Sequence, residues 1–149
     1  MIEQWINDLA EVDSTIGMPL CPFAKPAYDA GRVEIVHTAG HLWPEVLAAS
    51  LKLHDDLDVV VVVDETYAGG YDELEVIADA LNDFFTAAGL DCWALSHLSD
   101  AAVIFVQKLT ELDNSAAKLD KLGYYTHYDA HDYERLIAGR RRRRDQYAR

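Results

Sequence analysis

The sequence has few cysteines, no long apolar run and, before its last residues, few basic side chains. It holds two cysteines in 149 residues, Cys21 and Cys92, and their separation excludes a C-x-x-C zinc or dithiol motif. No apolar stretch approaches the roughly 18 residues of a membrane span. The acidic opening segment, MIEQWINDLAEVD, lacks the basic start and apolar centre of a signal peptide. We therefore expect a cytoplasmic protein that does not enter a membrane and forms no disulfide.

Motifs of well-known nucleotide-binding and hydrolytic sites are missing as well. The chain has no Gly-x-Gly-x-x-Gly, no P-loop and no Gly-x-Ser-x-Gly. The sequence therefore gives no support to a protein whose site is built on any of these three motifs.

Acidic residues dominate the charge, and the basic residues gather at one end. The formal net charge is −13, but seven of the 13 basic side chains are arginines from residue 135 onward. Residues 1–134 carry 25 acidic and six basic side chains, a net charge of −19. Such a body repels nucleic acid, so we expect none to bind except through Arg140–Arg144. The arginine run equally suits a solvated helix end, or docking on an acidic surface of this chain or of a neighbour.

The length and the apolar half of the composition predict one globular domain over 1–134, followed by an arginine-rich helix end or tail over 135–149. Val59 to Val63 are five β-branched residues in succession, typical of a central strand buried on both faces. Two β-α-β units predict parallel pairing, and a last hairpin over 92–107 adds an antiparallel strand. The predicted fold is α/β or α+β: a mixed four-stranded sheet, with three parallel strands and an antiparallel hairpin strand, packed by helices.

The segment GGYDELEVIADALNDFFTAAG, residues 69–89, is predicted to form a helix. Asp72 is a candidate N-cap with Glu75 three residues later, and Gly89 is placed to end the helix. Asp129 is expected to N-cap the last helix of the chain. One stripe of the helix in 69–89 is apolar: Leu74, Ile77, Ala78, Leu81, Phe85 and Ala88.

Polar side chains follow the ends of the predicted parallel strands: His37, Asp64 and His97. Ligands of such sheets bind beyond the carboxyl ends of the strands, so these residues are candidates for one site. A carboxylate beside a histidine fixes the tautomer of the ring and raises its basicity, which suits acid–base catalysis or metal binding. Each residue alone also fits a structural role at the end of a strand.

The segment PLCPFAKP, residues 19–26, places Cys21 among three prolines. With Pro22 as the first residue of a helical turn, Cys21 is its N-cap and Lys25 lies one turn later, and both features favour a thiolate. The alternative is a buried, inert thiol in a stiff turn. Cys92, beside Trp93 in an apolar strand, is predicted to lie in the core.

The stretch LCPFAKPAYDAGRVEIV resembles the opening of an uncharacterised bacterial family. That family has an N-terminal helix, a Leu-Cys-Pro-Phe-Ala segment, a basic residue and then a strand, and the match covers about 20 residues. In the family a His-Pro pair follows a later strand, whereas here His97 in LSHLSD is followed by leucine. The resemblance implies Cys21 and His97 as site residues and implies no particular reaction.

Two functional hypotheses follow. The first is a thiolate- or metal-dependent enzyme acting on a small molecule, with Cys21, His97, His37 and Asp64 at the carboxyl ends of the strands. In its metal form, Cys21, His37 and His97 are the candidate ligands of a divalent metal as cofactor. The second is a non-catalytic interaction protein. Its acidic body and arginine-rich tail would associate head to tail in a homo-oligomer, or with a basic protein partner.

Overall fold

The structure is a computed structural model that describes residues 4, 7, 12–13, 18–19, 24–54 and 56–147. Its elements up to residue 121 are β1 (Val12–Asp13), β2 (Met18–Pro19), α1 (Ala24–Asp29), β3 (Val33–Thr38), α2 (Leu42–Ser50), β4 (Val59–Asp64), α3 (Tyr71–Ala87), β5 (Trp93–Leu98), β6 (Ala102–Gln107) and α4 (Leu109–Lys121). A 3-10 turn follows (Tyr124–His127). The C-terminal helix then runs without a break through α5 (Ala130–Tyr133), a π-helical segment (Glu134–Ala138) and α6 (Gly139–Tyr147).

The main sheet has four strands in the order β3-β4-β6-β5. This confirms a mixed four-stranded sheet packed by helices, in an α+β arrangement. The expectation of three parallel strands is wrong, because β3 and β4 form the parallel pair and β6 lies antiparallel between β4 and β5. A physical reason is the composition of the hairpin. Its second strand, AVIFVQ, is more apolar than its first, WALSHL, so placing β6 inside the sheet removes more apolar surface from water.

The core lies mainly between the sheet and two helices on one of its faces. β4 is central, and its residues from Val60 to Asp64 are buried, as the run of valines predicts. α2 packs on β4 and β6, and α3 packs on the edge strand β5. On the opposite face of the sheet, Val61, Val63 and Val103 form a smaller cluster with Tyr28 of α1 packed against it. The side chains of α3 that lie fully in the core are Leu74, Leu81 and Phe85.

The ends of the helices follow the sequence prediction in part. Gly89 takes a left-handed backbone (φ +69°) directly after the C-cap of α3, and the Asp129 carboxylate accepts a hydrogen bond from the Asp132 N–H at 2.8 Å. The prediction of Asp72 as N-cap is wrong. Gly70, with an extended backbone, is the N-cap, and its carbonyl accepts a hydrogen bond from the Leu74 N–H at 3.1 Å, so α3 begins at Tyr71.

One buried side-chain amide joins α3 to the edge strand β5. The Asn82 side chain donates from Nδ2 to the Ala94 carbonyl at 2.9 Å and accepts from the Ala94 N–H at 2.7 Å. The amide thereby satisfies one backbone donor and one backbone acceptor on the outer side of β5, as a neighbouring strand does. This contact fixes the position of α3 along the sheet.

Candidate functional site

The two candidate histidines lie on the two outer strands, β3 and β5, at opposite edges of the sheet. Strand pairing places His37, Val63, Val103 and His97 in one row. With neighbouring strands about 4.8 Å apart, three intervals separate His37 from His97 by roughly 14 Å. His37 is exposed, whereas His97 is half-buried, and burial lowers the pKa of His97. The structure therefore does not bring the two rings together.

Asp64 lies one row further along, paired with Thr38 of β3 and Ala102 of β6. Successive residues of a strand point to opposite faces of the sheet. Asp64 therefore points to the face covered by helices, while His37 and His97 point to the other face. In this register the Asp64 carboxylate orients neither histidine.

The Asp64 carboxylate is buried and held by three hydrogen bonds. Its Oδ1 accepts from the Thr66 N–H at 2.9 Å and from the Thr66 hydroxyl at 2.6 Å, and its Oδ2 accepts from the Gly40 N–H at 3.1 Å. Burial raises the pKa of Asp64, but the bonds from Thr66 and Gly40 and the charge of His41 outweigh burial, so the pKa lies below its ordinary value. Asp64 thus ties the loop after β3 to the turn after β4.

The described part of the chain contains no cluster of side chains that would support the metal form of the first hypothesis. Across 24–54 and 56–147, with the shorter described pieces before them, no three His, Cys, Asp or Glu side chains converge to hold a metal ion. The distance between His37 and His97 is several times a metal–ligand bond of about 2 Å. Cys21, the candidate nucleophile and third candidate ligand, lies outside the described residues.

Cys92 lies in the core, as its apolar neighbours predict. Its side chain is buried, and burial together with the nearby charge of Asp91 raises the pKa of the thiol to about 12. We expect iodoacetamide to leave Cys92 unmodified in the folded chain near pH 8, because the reactive thiolate is scarce and shielded. Peptide mapping by mass spectrometry measures this, with the chain unfolded in denaturant as the positive control.

The same labelling experiment tests Cys21. An apparent pKa well below about 8.5 for Cys21 would support the thiolate hypothesis, and a slow reaction at Cys21 would contradict it. Rapid labelling of Cys92 in the folded chain would contradict the burial of that side chain.

A second polar region joins α3 to the C-terminal helix, and it was missed as a site from the sequence. The Arg143 guanidinium bonds to Asp79, with Nη1 3.3 Å from Oδ1 and Nη2 3.0 Å from the carbonyl oxygen, and it also pairs with the Asp83 carboxylate. Its Cζ lies 5.7 Å from the centre of the Trp93 ring, within the range of a cation–π contact. Two carboxylates one helical turn apart and one indole thus hold a single arginine.

Two further arginines of the run also pair within the chain. The buried Arg140 donates from Nε to the Asp113 carboxylate at 3.0 Å and from Nη1 to the Leu136 carbonyl at 3.0 Å. Arg142 pairs on the surface with Glu134. Of the alternatives for the arginine run, docking on an acidic surface of the same chain is the one that Arg140 and Arg143 show, whereas Arg142 pairs within the C-terminal helix itself. Two features of the sequence could have identified this contact. They are the charge asymmetry and the spacing of Asp79 and Asp83, one helical turn apart.

A cleft of about 260 Å³ lies where α3, β5 and the C-terminal helix meet. Asp79, Asn82, Trp93, Arg140 and Arg143 are among the residues that line it. Three carboxylates and two guanidinium groups line this cleft, and Arg143 bonds to Asp79 there. The cleft is thus the seam of the contact between the C-terminal helix and the acidic body.

Comparison with models of known protein families, with curated proteins and with solved structures finds no significant match. None of the helices in the described ranges combines the length and the apolar character that a membrane crossing requires. Function is therefore inferred from the contacts and charges of the chain itself.

Proposed function

We propose that this chain is a non-catalytic interaction protein whose acidic body binds a basic protein partner at α3. The observation that carries the proposal is the Arg143 contact. The polar side of α3 already binds a basic helix within the molecule, through Asp79, Asp83 and the Trp93 ring. Charge-assisted hydrogen bonds to carboxylates, together with an aromatic face, select arginine over uncharged side chains.

The charge that remains on the body supports a partner outside the chain. Residues 1–134 carry a net charge of −19, and the seven arginines of the C-terminal segment balance only part of it. The exposed carboxylates of α3 include Asp72 and Glu73 in its first turn. A surface of one sign attracts an oppositely charged partner over distances of about a Debye length, and this attraction speeds association.

The head-to-tail assembly of copies receives less support than a separate basic partner. Arg140, Arg142 and Arg143 pair within their own chain, so a second copy would have to release them before it bound them. The enzyme hypothesis depends on Cys21 and stays a prediction that the labelling experiment above tests.

Calorimetric titration of the full chain with a synthetic helical peptide of arginine and alanine tests the proposal. We expect binding at about 0.05 M salt that weakens at least tenfold at about 0.5 M salt, because the ions screen exposed charges. A peptide with glutamate in place of arginine is expected not to bind.

Two variants with equal charge locate the binding surface. D72N/E73Q removes two carboxylates from α3, and E65Q/D100N removes two exposed carboxylates outside it. We expect D72N/E73Q to weaken binding of the arginine peptide several-fold more than E65Q/D100N does. Equal weakening in the two variants, or no binding by the wild-type chain, would overturn the proposal that α3 binds a basic partner.

A further inference from the structure

α3 carries a second apolar stripe, on the side that faces away from the core. Val76, Ala80, Phe84 and Ala87 are exposed, with 67% of Val76 and 50% of Phe84 accessible to solvent. Their spacing of four, four and three residues aligns them along one side of the helix over about 16 Å. An exposed apolar stripe of three turns is typical of a helix that contacts another helix.

This outer stripe is separate from the apolar side that stabilises the fold. The core side of α3 holds Leu74, Leu81 and Phe85, all fully buried. The ring of Phe84 packs edge to face on the ring of Phe85, with the centroids 6.0 Å apart. The Phe84 ring is therefore held in place at the surface, and an aromatic anchor fixed in advance loses little freedom on binding.

Acidic side chains border the outer stripe on one side and enter it at its N-terminal end. At 100° per residue, Asp72 and Asp83 lie along one side of the stripe. Glu73 lies within its width, about one turn before Val76. All three are exposed, and we name them the acidic rim. A second copy of the chain packed stripe to stripe would bring two acidic rims together, and like charges at an interface oppose association. Basic residues beside an apolar face complement the rim.

We infer that the outer stripe of α3, with its acidic rim, binds one amphipathic basic helix of a partner protein. Apolar residues of that helix at positions i, i+4 and i+7 or i+8 cover Val76 and Phe84, and its Lys or Arg side chains pair with the rim. This inference rests on the proposed function and adds the surface and the form of the partner. The Arg143 contact supports it, since Asp83 of the rim already pairs with an arginine from a helix alongside α3.

The test uses the full chain and two synthetic helical peptides of equal positive charge, one with a leucine stripe and one with alanine in its place. We expect the leucine peptide to bind the wild-type chain about tenfold more tightly, because it buries apolar surface in addition to pairing charges. V76S/F84S is expected to abolish this difference. L51S/L122S, which changes two other exposed apolar residues, is expected to retain it.

The outcomes separate the two proposals. If both peptides bind with equal affinity, or if V76S/F84S keeps the tenfold difference, the inference is wrong and the proposed function stands. If neither peptide binds, both are wrong. Light scattering of the free chain adds a third outcome: a wild-type dimer that V76S/F84S converts to a monomer would make a second copy the occupant of the stripe, and would overturn the inference. All four substituted residues are exposed, so circular dichroism is expected to show folded variants.

Discussion

Replacement of Arg140 by alanine is expected to lower the free energy of unfolding by about 3 kcal/mol. Arg140 is 2% exposed and Asp113 is 13% exposed, so their ion pair is shielded from water. Removing Arg140 breaks this shielded ion pair and leaves a space where the buried guanidinium lay, and such a change costs far more than the pair contributes. The Leu136 carbonyl also loses a donor. Urea denaturation of R140A and the wild-type chain measures the difference.

Two comparison variants separate this effect from a general loss of arginine. Arg142 is two residues away, and its side chain and that of its partner Glu134 are 67% and 50% exposed. We expect R142A to cost at most about 1 kcal/mol, as exposed ion pairs do. The double variant R140M/D113L replaces the buried pair by apolar side chains and is expected to be within about 1 kcal/mol of the wild type. If R140A proves as stable as R142A, the result would contradict a stabilising ion pair between Arg140 and Asp113.

Replacement of Asp64 by alanine is expected to lower the free energy of unfolding by about 2–4 kcal/mol. Three donors, the Thr66 N–H, the Thr66 hydroxyl and the Gly40 N–H, lose their acceptor in a partly buried setting, and the loop after β3 is no longer tied to the turn after β4. D64N keeps one acceptor oxygen but turns an amide N–H₂ toward a donor. Its unfolding free energy is therefore expected to lie between those of the wild type and D64A. E65Q, at the exposed neighbouring residue, is expected to change stability by at most about 0.5 kcal/mol.

The contribution of Asp64 to stability also depends on pH with a definite sign. Because the folded-state pKa lies below the unfolded value of about 3.9, the folded chain binds the proton less readily than the unfolded chain. The stability from this carboxylate is present above about pH 4–5 and is lost as the pH falls through the folded pKa. The difference in unfolding free energy between the wild type and D64N should therefore shrink below about pH 4. A difference that stays constant down to pH 2–3 would contradict the lowered pKa.

The sequence predicts the elements better than their arrangement. The valine run identifies β4, and the apolar stripe identifies α3, because burial repeats with the period of each element. The place of β6 between β4 and β5 depends on which hairpin strand gains more from burial, and this comparison involves the whole sheet. The strand register places His37, Asp64 and His97 near the same end of the strands, as the carboxyl-end rule expects, but on three different strands. The rule does not determine their faces, because a shift of one residue exchanges the two faces of a strand.

The contact between α3 and the C-terminal helix is predictable only in outline. The charge asymmetry makes docking of the arginine run on acidic residues one of several alternatives, and Arg143 and Asp79 are 64 residues apart in the sequence. No local periodicity connects side chains at that distance. Which arginine becomes buried depends on the rotation of the C-terminal helix about its axis, and that rotation is set by the backbone before residue 139.

The π-helical segment Glu134–Ala138 adds one residue to a turn of the C-terminal helix. It thereby rotates the directions of all side chains that follow. Its closing hydrogen bond runs from the Gly139 N–H to the Glu134 carbonyl, and a Cβ atom at position 139 would lie 2.7 Å from that oxygen. Glycine is therefore the residue that permits the insertion. Relative to a regular helix, everything after it is turned by about 100°. In a run of five identical side chains the residue type cannot select the buried member, so this phase offset decides that Arg140 points inward and Arg143 reaches Trp93.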